Sequence, residues 1–380
     1  MIRLLICSVV FVCGCATTTE NLNNEGIALA NQQKYQQALQ KFLEAYRQKP
    51  DRFENCLNVA QMYVMLKDPQ QAIVYIDKAL ELNAQVLDIH ILKMQVLLLQ
   101  GKKAQALEIL DSVAEKNHNN PRLYALLLSM GDNALSQKKW EESRQWYQKA
   151  IDLSPEESKA YIALSRALIF KGSHAQNSYE NFATSSEVRD SDFNKAKAAL
   201  RKAVYLDKDS VDAHLMLGMI AMQTQNYQDA QLEFAEVLRI DSNHLIALTA
   251  ASFNQSQMGN ISKSMEYLQS AQQLYPDRAE PLWLKANLLI QQQSFSEAVA
   301  TYITIWTKFP NLRDSIVQNF RMNFSHYFPW LVKLITDSNQ QIADFSFDML
   351  KEVSRQNFAR DVAKWQMWYK EKGQHESQKN

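Results

Sequence analysis

The chain has 380 residues, and its 41 basic and 41 acidic side chains cancel. The basic residues are dispersed, so the footprint of a nucleic-acid-binding protein is missing. Eight glycines and eight prolines leave little for the turns of a β-rich fold, and no sustained apolar–polar alternation occurs. At 46% hydrophobic residues the chain can bury a large core, in the quasi-linear manner of a stack whose units pack only on their neighbours.

Residues 1–15, MIRLLICSVVFVCGC, read as a targeting segment, with Arg3 as its positive region and an apolar run over 4–12. That run is too short to span a bilayer of about 30 Å at ~1.5 Å per residue. It ends in Val12-Cys13-Gly14-Cys15, which resembles the bacterial lipobox, although Cys13 is a less usual occupant of its position. The resemblance implies a lipoprotein signal peptide over 1–14, and an anchor and short linker over 15–18, with Cys15 carrying palmitate-type acyl chains. Ala16 after the anchor implies sorting to the outer membrane of a Gram-negative cell, facing the periplasm. Two or more chains would hold the protein stably, at ~0.8 kcal/mol per buried methylene. Cys56 is then the lone mature cysteine besides the anchor, which excludes an intramolecular disulfide and suggests a buried packing thiol.

From residue 19 the chain is periodic. The stretch 211–244, VDAHLMLGMIAMQTQNYQDAQLEFAEVLRIDSNH, holds two amphipathic helical patterns and a short polar turn in 34 residues. The place of Gly218 is held elsewhere by Gly26, Ala60, Met94, Gly131, Ser165, Ser252 and Ala286. That of Ala230 is held by Ala38, Ala72, Ala106, Ser143, Ala196, Ser264 and Ala298. That of Phe234 is held by Phe42, Ile76, Leu110, Tyr147, Leu200, Leu268 and Tyr302. The period and these small-residue and aromatic columns resemble the tetratricopeptide repeat. The resemblance implies an all-α fold: eight repeats over 19–312 forming a right-handed superhelix, an α-solenoid.

Three extra residues near 117–120 precede the fourth repeat. The fifth is interrupted by a polar insertion, 172–191, between helices expected over 159–171 and from Phe193 onward. Insertions of that kind emerge at one edge of an array. Beyond Leu312 the period stops, and 313–380 reads as a helical cap and polar tail. Helices are expected over 313–327, 330–336, 340–354 and 360–372, and the segment 334–354, LITDSNQQIADFSFDMLKEVS, weakly resembles a HEAT hairpin. Trp365, Trp368 and Tyr369 are expected as the cap's core, since an array must cover its last apolar face.

Little chemistry is legible. The seven histidines form no metal-ligand spacing, and no GxSxG elbow, phosphate-binding glycine loop or CxxC pair occurs. The acidic pairs Glu141-Glu142 and Glu156-Glu157 suit helix first turns, where negative charge favours the dipole. No catalytic residue, metal site, cofactor or small-molecule substrate is expected, and the chain reads as a non-enzyme.

Binding is what the resemblance offers. It implies that the first helices of the repeats line a concave groove. Carried over position by position, this names Gln61, Met65, Gln95, Leu99, Asp132, Arg166, Phe170, Met219, Met222, Phe253, Trp283 and Asn287. The same register adds Leu57, Val64, Ile91, Leu98, Leu128, Leu135, Lys159, Ile162, Ile169, Leu215 and Ile290. The lining is apolar with scattered amides, suited to a partner segment with apolar side chains. The implied function is a lipid-anchored, non-catalytic scaffold for envelope proteins. A regulatory subunit for a cell-wall hydrolase or synthase, and a pilotin-like factor for secretin or pilus assembly, are the alternatives.

Overall fold

The structure, a computed structural model, describes residues 18–174 and 185–377, with side-chain surroundings for 18–169 and 191–371. The expected signal peptide, the Cys15 anchor and residues 175–184 of the expected insertion lie outside the described residues. Within them every regular element is helical, and the chain is an α-solenoid.

Two compact units divide the chain, residues 1–202 and 203–380. The first contains α1 (Thr18–Asn31), α2 (Tyr35–Gln48), α3 (Phe53–Met65), α4 (Pro69–Leu82), α5 (Leu87–Leu99), α6 (Lys103–Ala114), α7 (Pro121–Ser136), α8 (Trp140–Leu153), α9 (Ser158–His174) and most of α10 (Ser185–Leu206). The second contains α11 (Val211–Gln223), α12 (Tyr227–Ile240), α13 (Leu245–Gln257), α14 (Ile261–Leu274), α15 (Glu280–Gln291) and α16 (Phe295–Lys308). There α17 (Arg313–Met322), α18 (Phe324–Leu334), α19 (Gln340–Ser354) and α20 (Val362–Ser377) complete the chain. Helices α1 to α16 fall into eight pairs at the positions expected of the repeats.

The pairs are built on a close approach. At Gly218 an added Cβ would stand 2.6 Å from the Phe234 ring, and at Gly26 it would stand 2.6 Å from that of Phe42. Gly131 lies in the same way under Tyr147. Glycine therefore occurs where the facing column carries an aromatic ring, because the ring occupies the volume of the missing methyl. Tyr302 is the exception, its register partner being Ala286. Where serine enters the columns its hydroxyl is satisfied locally. Ser143 Oγ donates to the Gly131 carbonyl at 2.9 Å, and the Ser252 and Ser264 hydroxyls share a bond of 2.9 Å. Both arrangements avoid the cost of an orphaned buried hydroxyl.

A turn inside the repeat recurs in seven of them as well. Gln225 adopts φ 58°, its N–H reaching the Met222 carbonyl while that of Asn226 reaches Ala221. This is a Schellman end. Gln33, Lys67, Gly101, Lys138, Gly259 and Gln293 hold the same left-handed position in their repeats. Asn226 then caps the next helix, its Oδ1 accepting from the Asp229 N–H at 3.4 Å. Three polar residues, Thr224, Gln225 and Asn226, thus end one helix and start another.

Between consecutive pairs the links are buried and specific. The Ala160 N–H of α9 donates to Tyr124 Oη of α7 at 3.0 Å, and burial pushes that phenol up to about 12. Asn55 Nδ2 of α3 donates to the Lys49 carbonyl at 2.8 Å, and its Oδ1 accepts from Asn23 of α1 at 2.9 Å. Cys56 is fully buried, and burial pushes its thiol up.

Two boundaries differ from the sequence reading. Helix α9 continues to His174 and α10 starts at Ser185, so helix enters the interval 172–191 from both sides. Nothing in 185–192, SSEVRDSD, breaks a helix, since it holds neither glycine nor proline. The helix expected over 313–327 is broken at Asn323, which separates α17 from α18. In the cap, α17 to α20 share one apolar cluster with α15 and α16. Trp365 is fully buried, with Nε1 donating to the Ala359 carbonyl at 2.9 Å. Tyr369 stacks on Phe328 at 4.0 Å, and Phe295 of the last repeat stacks on Trp330 at 5.1 Å.

The close approach makes a test. Gly218→Ala should destabilise the protein by about 1–3 kcal/mol through overpacking, despite the ~1 kcal/mol that alanine gains in a helix. Adding Phe234→Leu should remove most of the penalty that Gly218→Ala adds, giving a favourable coupling energy in a denaturant double-mutant cycle. Additive effects of the two changes would show that ring and glycine do not meet.

Candidate partner-binding face

In each first helix, the position after the small-residue column behaves alike. Its occupants are Ile27, Gln61, Gln95, Asp132, Arg166, Met219, Phe253 and Asn287, and none of them is buried, although the residue before each is buried in all eight repeats. A helix that packs on its partner through the column must turn the next residue, about 100° round, towards solvent.

The twelve groove residues read from the sequence separate by surroundings. Leu99, Met219 and Phe253 are 51%, 46% and 42% exposed, large for apolar side chains on a packed helix. Asp132 and Arg166 are exposed too. Gln61, Met65, Gln95, Met222, Trp283 and Asn287 are half-buried, and the Phe170 side chain lies outside the described residues. Met222 packs against the core holding Phe234, and Trp283 meets Tyr302 edge-on at 5.8 Å. Of the further register residues, Val64, Ile91, Ile162, Leu215 and Ile290 are buried and belong to the core, not to a lining, while Leu57, Leu98, Leu128, Leu135 and Ile169 are half-buried and Lys159 is exposed. The buried ones sit at the margin of the apolar stripe, where a neighbouring helix covers them.

Two of the polar candidates are tied to the fold. Tyr147 Oη donates to Asp132 Oδ1 at 2.6 Å, and Tyr302 Oη donates to Asn287 Oδ1 at 3.3 Å. Both tyrosines stand in the aromatic column, and both acceptors stand fifteen residues earlier. Burial pushes both phenols well above their ordinary range, so each remains a donor that requires an acceptor.

Asn287 and Phe253 also meet a feature that the period does not contain. A cleft of about 350 Å³ lies among α13, α15, α17 and α18, and it is lined by Ser256, Gln291, Asn319, Asn323, His326 and Tyr327 as well. The cap supplies four of these residues, and they obey no repeat register. Only the i, i+4 spacing of Asn319 and Asn323 hinted that they could act together.

Among the described residues no group of histidine, cysteine or carboxylate side chains could hold a metal ion. No helix among them is long and apolar enough to cross a membrane.

Stacked helix pairs with a 34-residue register define a helical-repeat protein. Sequence models of the tetratricopeptide repeat match residues 63–129, and again 23–86 and 185–244. Over those residues the chain carries tetratricopeptide repeats. Human Protein O-mannosyl-transferase TMTC3 is 22% identical over 302 residues, covering 71% of this chain and 33% of that protein. Its mouse counterpart is 23% identical over 239 residues, covering 63% and 22%. The chain thus spans a third or less of the length of these curated relatives. Among solved structures, the tetratricopeptide-repeat protein YrrB is 18% identical with a TM-score of 0.34, covering 64% of this chain and 97% of that one. Pseudomonas aeruginosa pilF is 14% identical with a TM-score of 0.36, covering 71% and 97%.

The tyrosine ties separate a fold-bearing residue from a free one. Asp132→Ala should orphan the Tyr147 phenol and lower stability by about 1–3 kcal/mol. Asp132→Asn keeps an acceptor and should recover most of that loss in urea melts. Equal losses for the two variants would mean that the hydrogen bond contributes nothing.

Proposed function

We propose that this chain is a lipid-anchored, non-catalytic scaffold of the bacterial envelope, holding segments of partner proteins on its first-helix face. What supports a binding role is the line of unburied side chains recurring at the repeat period, with Met219 and Phe253 as its exposed large apolar members and Leu99 exposed one turn after Gln95. An apolar side chain from a partner would cover them, and exposed methionines adapt to varied shapes. The lipid anchor rests on the short apolar run, Gly14 and Cys15.

Met219 tests the binding face. A photo-reactive residue placed there should crosslink to a polypeptide in intact envelopes, whereas one at Leu232, 68% exposed on α12, should not. Met219→Ala should change stability by less than about 1 kcal/mol. If it is an interface hot spot, at least ~2 kcal/mol of partner binding should be lost. Crosslinking that is absent at Met219, or equal at both sites, would overturn the assignment of the face. The anchor is tested apart from it: Cys15→Ser should abolish incorporation of labelled acyl chains and release the protein from membranes. Unchanged labelling would refute Cys15 as the modified residue.

A further inference from the structure

The cleft between the last two repeats and the cap differs in chemistry from the face that leads to it. Its lining contains no lysine, arginine, aspartate or glutamate. Its polar side chains are four carboxamides, Asn287, Gln291, Asn319 and Asn323, with three serines, His326 and Tyr327, and Phe253 is exposed beside them. An ionic ligand entering this cleft would lose hydration without meeting an opposite charge.

Two carboxamides are oriented from behind. Tyr302 Oη donates to Asn287 Oδ1 at 3.3 Å, and Tyr327 Oη donates to Asn319 Oδ1 at 2.7 Å. Both tyrosines are buried, which pushes their phenols up and keeps them protonated. With its oxygen taken, each carboxamide has its two N–H donors left, and neither side-chain nitrogen donates to a protein atom among the described residues. Asn323 is set the opposite way. Its Nδ2 donates to the Asn319 carbonyl at 3.0 Å, which leaves Oδ1 to accept. The cleft therefore offers fixed donors and a fixed acceptor with no carboxylate, lysine or arginine among them, next to an aromatic ring.

A sugar hydroxyl both donates and accepts, and a pyranose ring presents a C–H face that can lie on an aromatic one. A volume of about 350 Å³ is at the small end of ligand pockets. A protein segment on the first-helix line would also cover Met219, which does not line the cleft. We propose that this cleft binds a neutral saccharide of one or two pyranose units, held by the Asn287 and Asn319 carboxamides and stacked on Phe253. This goes beyond the proposed protein-binding face and can fail or stand without it.

The test uses the full chain and calorimetric or NMR titration with glucose, N-acetylglucosamine and the β-1,4-linked dimer of each. Saturable binding is expected for at least one of the four. Asn287→Asp should weaken it by at least about tenfold, ~1.4 kcal/mol, by replacing the N–H donors with an acceptor. That variant should still fold, because Asp132 receives the Tyr147 phenol in the same register of the fourth repeat. Phe253→Ala should weaken binding comparably, and Met219→Ala should leave it unchanged. The proposal is overturned if none of the sugars binds saturably, or if Asn287→Asp and Phe253→Ala bind as the parent does. It is likewise overturned if a capped uncharged tetrapeptide, titrated in parallel, binds more tightly than every sugar and shows the same dependence on the two variants.

Discussion

The distance between the two helices of a repeat governs the rest of this structure. Where Gly218 lies under Phe234, the helices approach until a ring fills the volume of a methyl group, and the same occurs at Gly26 and Gly131. Close packing of this kind leaves no slack, so the helix cannot rotate about its axis without a clash or a void. Fixing that rotation decides which residues are buried and which are not. The residue after each glycine or alanine is turned outward as a consequence, and the outward line needs no separate explanation.

Fold and face consequently share atoms. A tyrosine in the aromatic column fills the core with its ring, but its hydroxyl emerges beside the outward line and must be matched there. Asp132 and Asn287 supply the match. A side chain of this kind is only partly available to a ligand, because one of its oxygens is spoken for. In exchange its remaining polar atoms are held in a fixed direction, which favours selective binding over a mobile amide.

Much of this could be read from residue order. Columns in phase over eight units located the helix pairs, and helical spacing past Leu312 located the cap. The tyrosine ties were within reach too, since the two tyrosines of the aromatic column are the two with aspartate or asparagine fifteen residues earlier. Other features were not. Whether Val64 or Leu215 faces solvent depends on a few degrees of helix rotation and on what the next pair covers, and a one-dimensional register does not carry that. The break at Asn323 was hidden because residues on both sides continue a plausible apolar stripe. The cleft was hidden for a different reason: one wall of it, Asn319, Asn323, His326 and Tyr327, comes from the cap, outside the period.

The aromatic core of the cap has a consequence for how the protein would be observed. Of the seven tryptophans, Trp283, Trp306, Trp330, Trp365 and Trp368 fall between the eighth repeat and the last helix. Only Trp140 and Trp146 lie elsewhere, both on α8. Intrinsic fluorescence is therefore a signal from the C-terminal end with a minor voice from the fourth repeat, whereas circular dichroism weighs every helix equally. Repeat arrays can lose their cooperativity along the chain. Optical melts of this molecule by the two methods would then report on different parts of it, and a disagreement between them would measure how far the array comes apart in pieces.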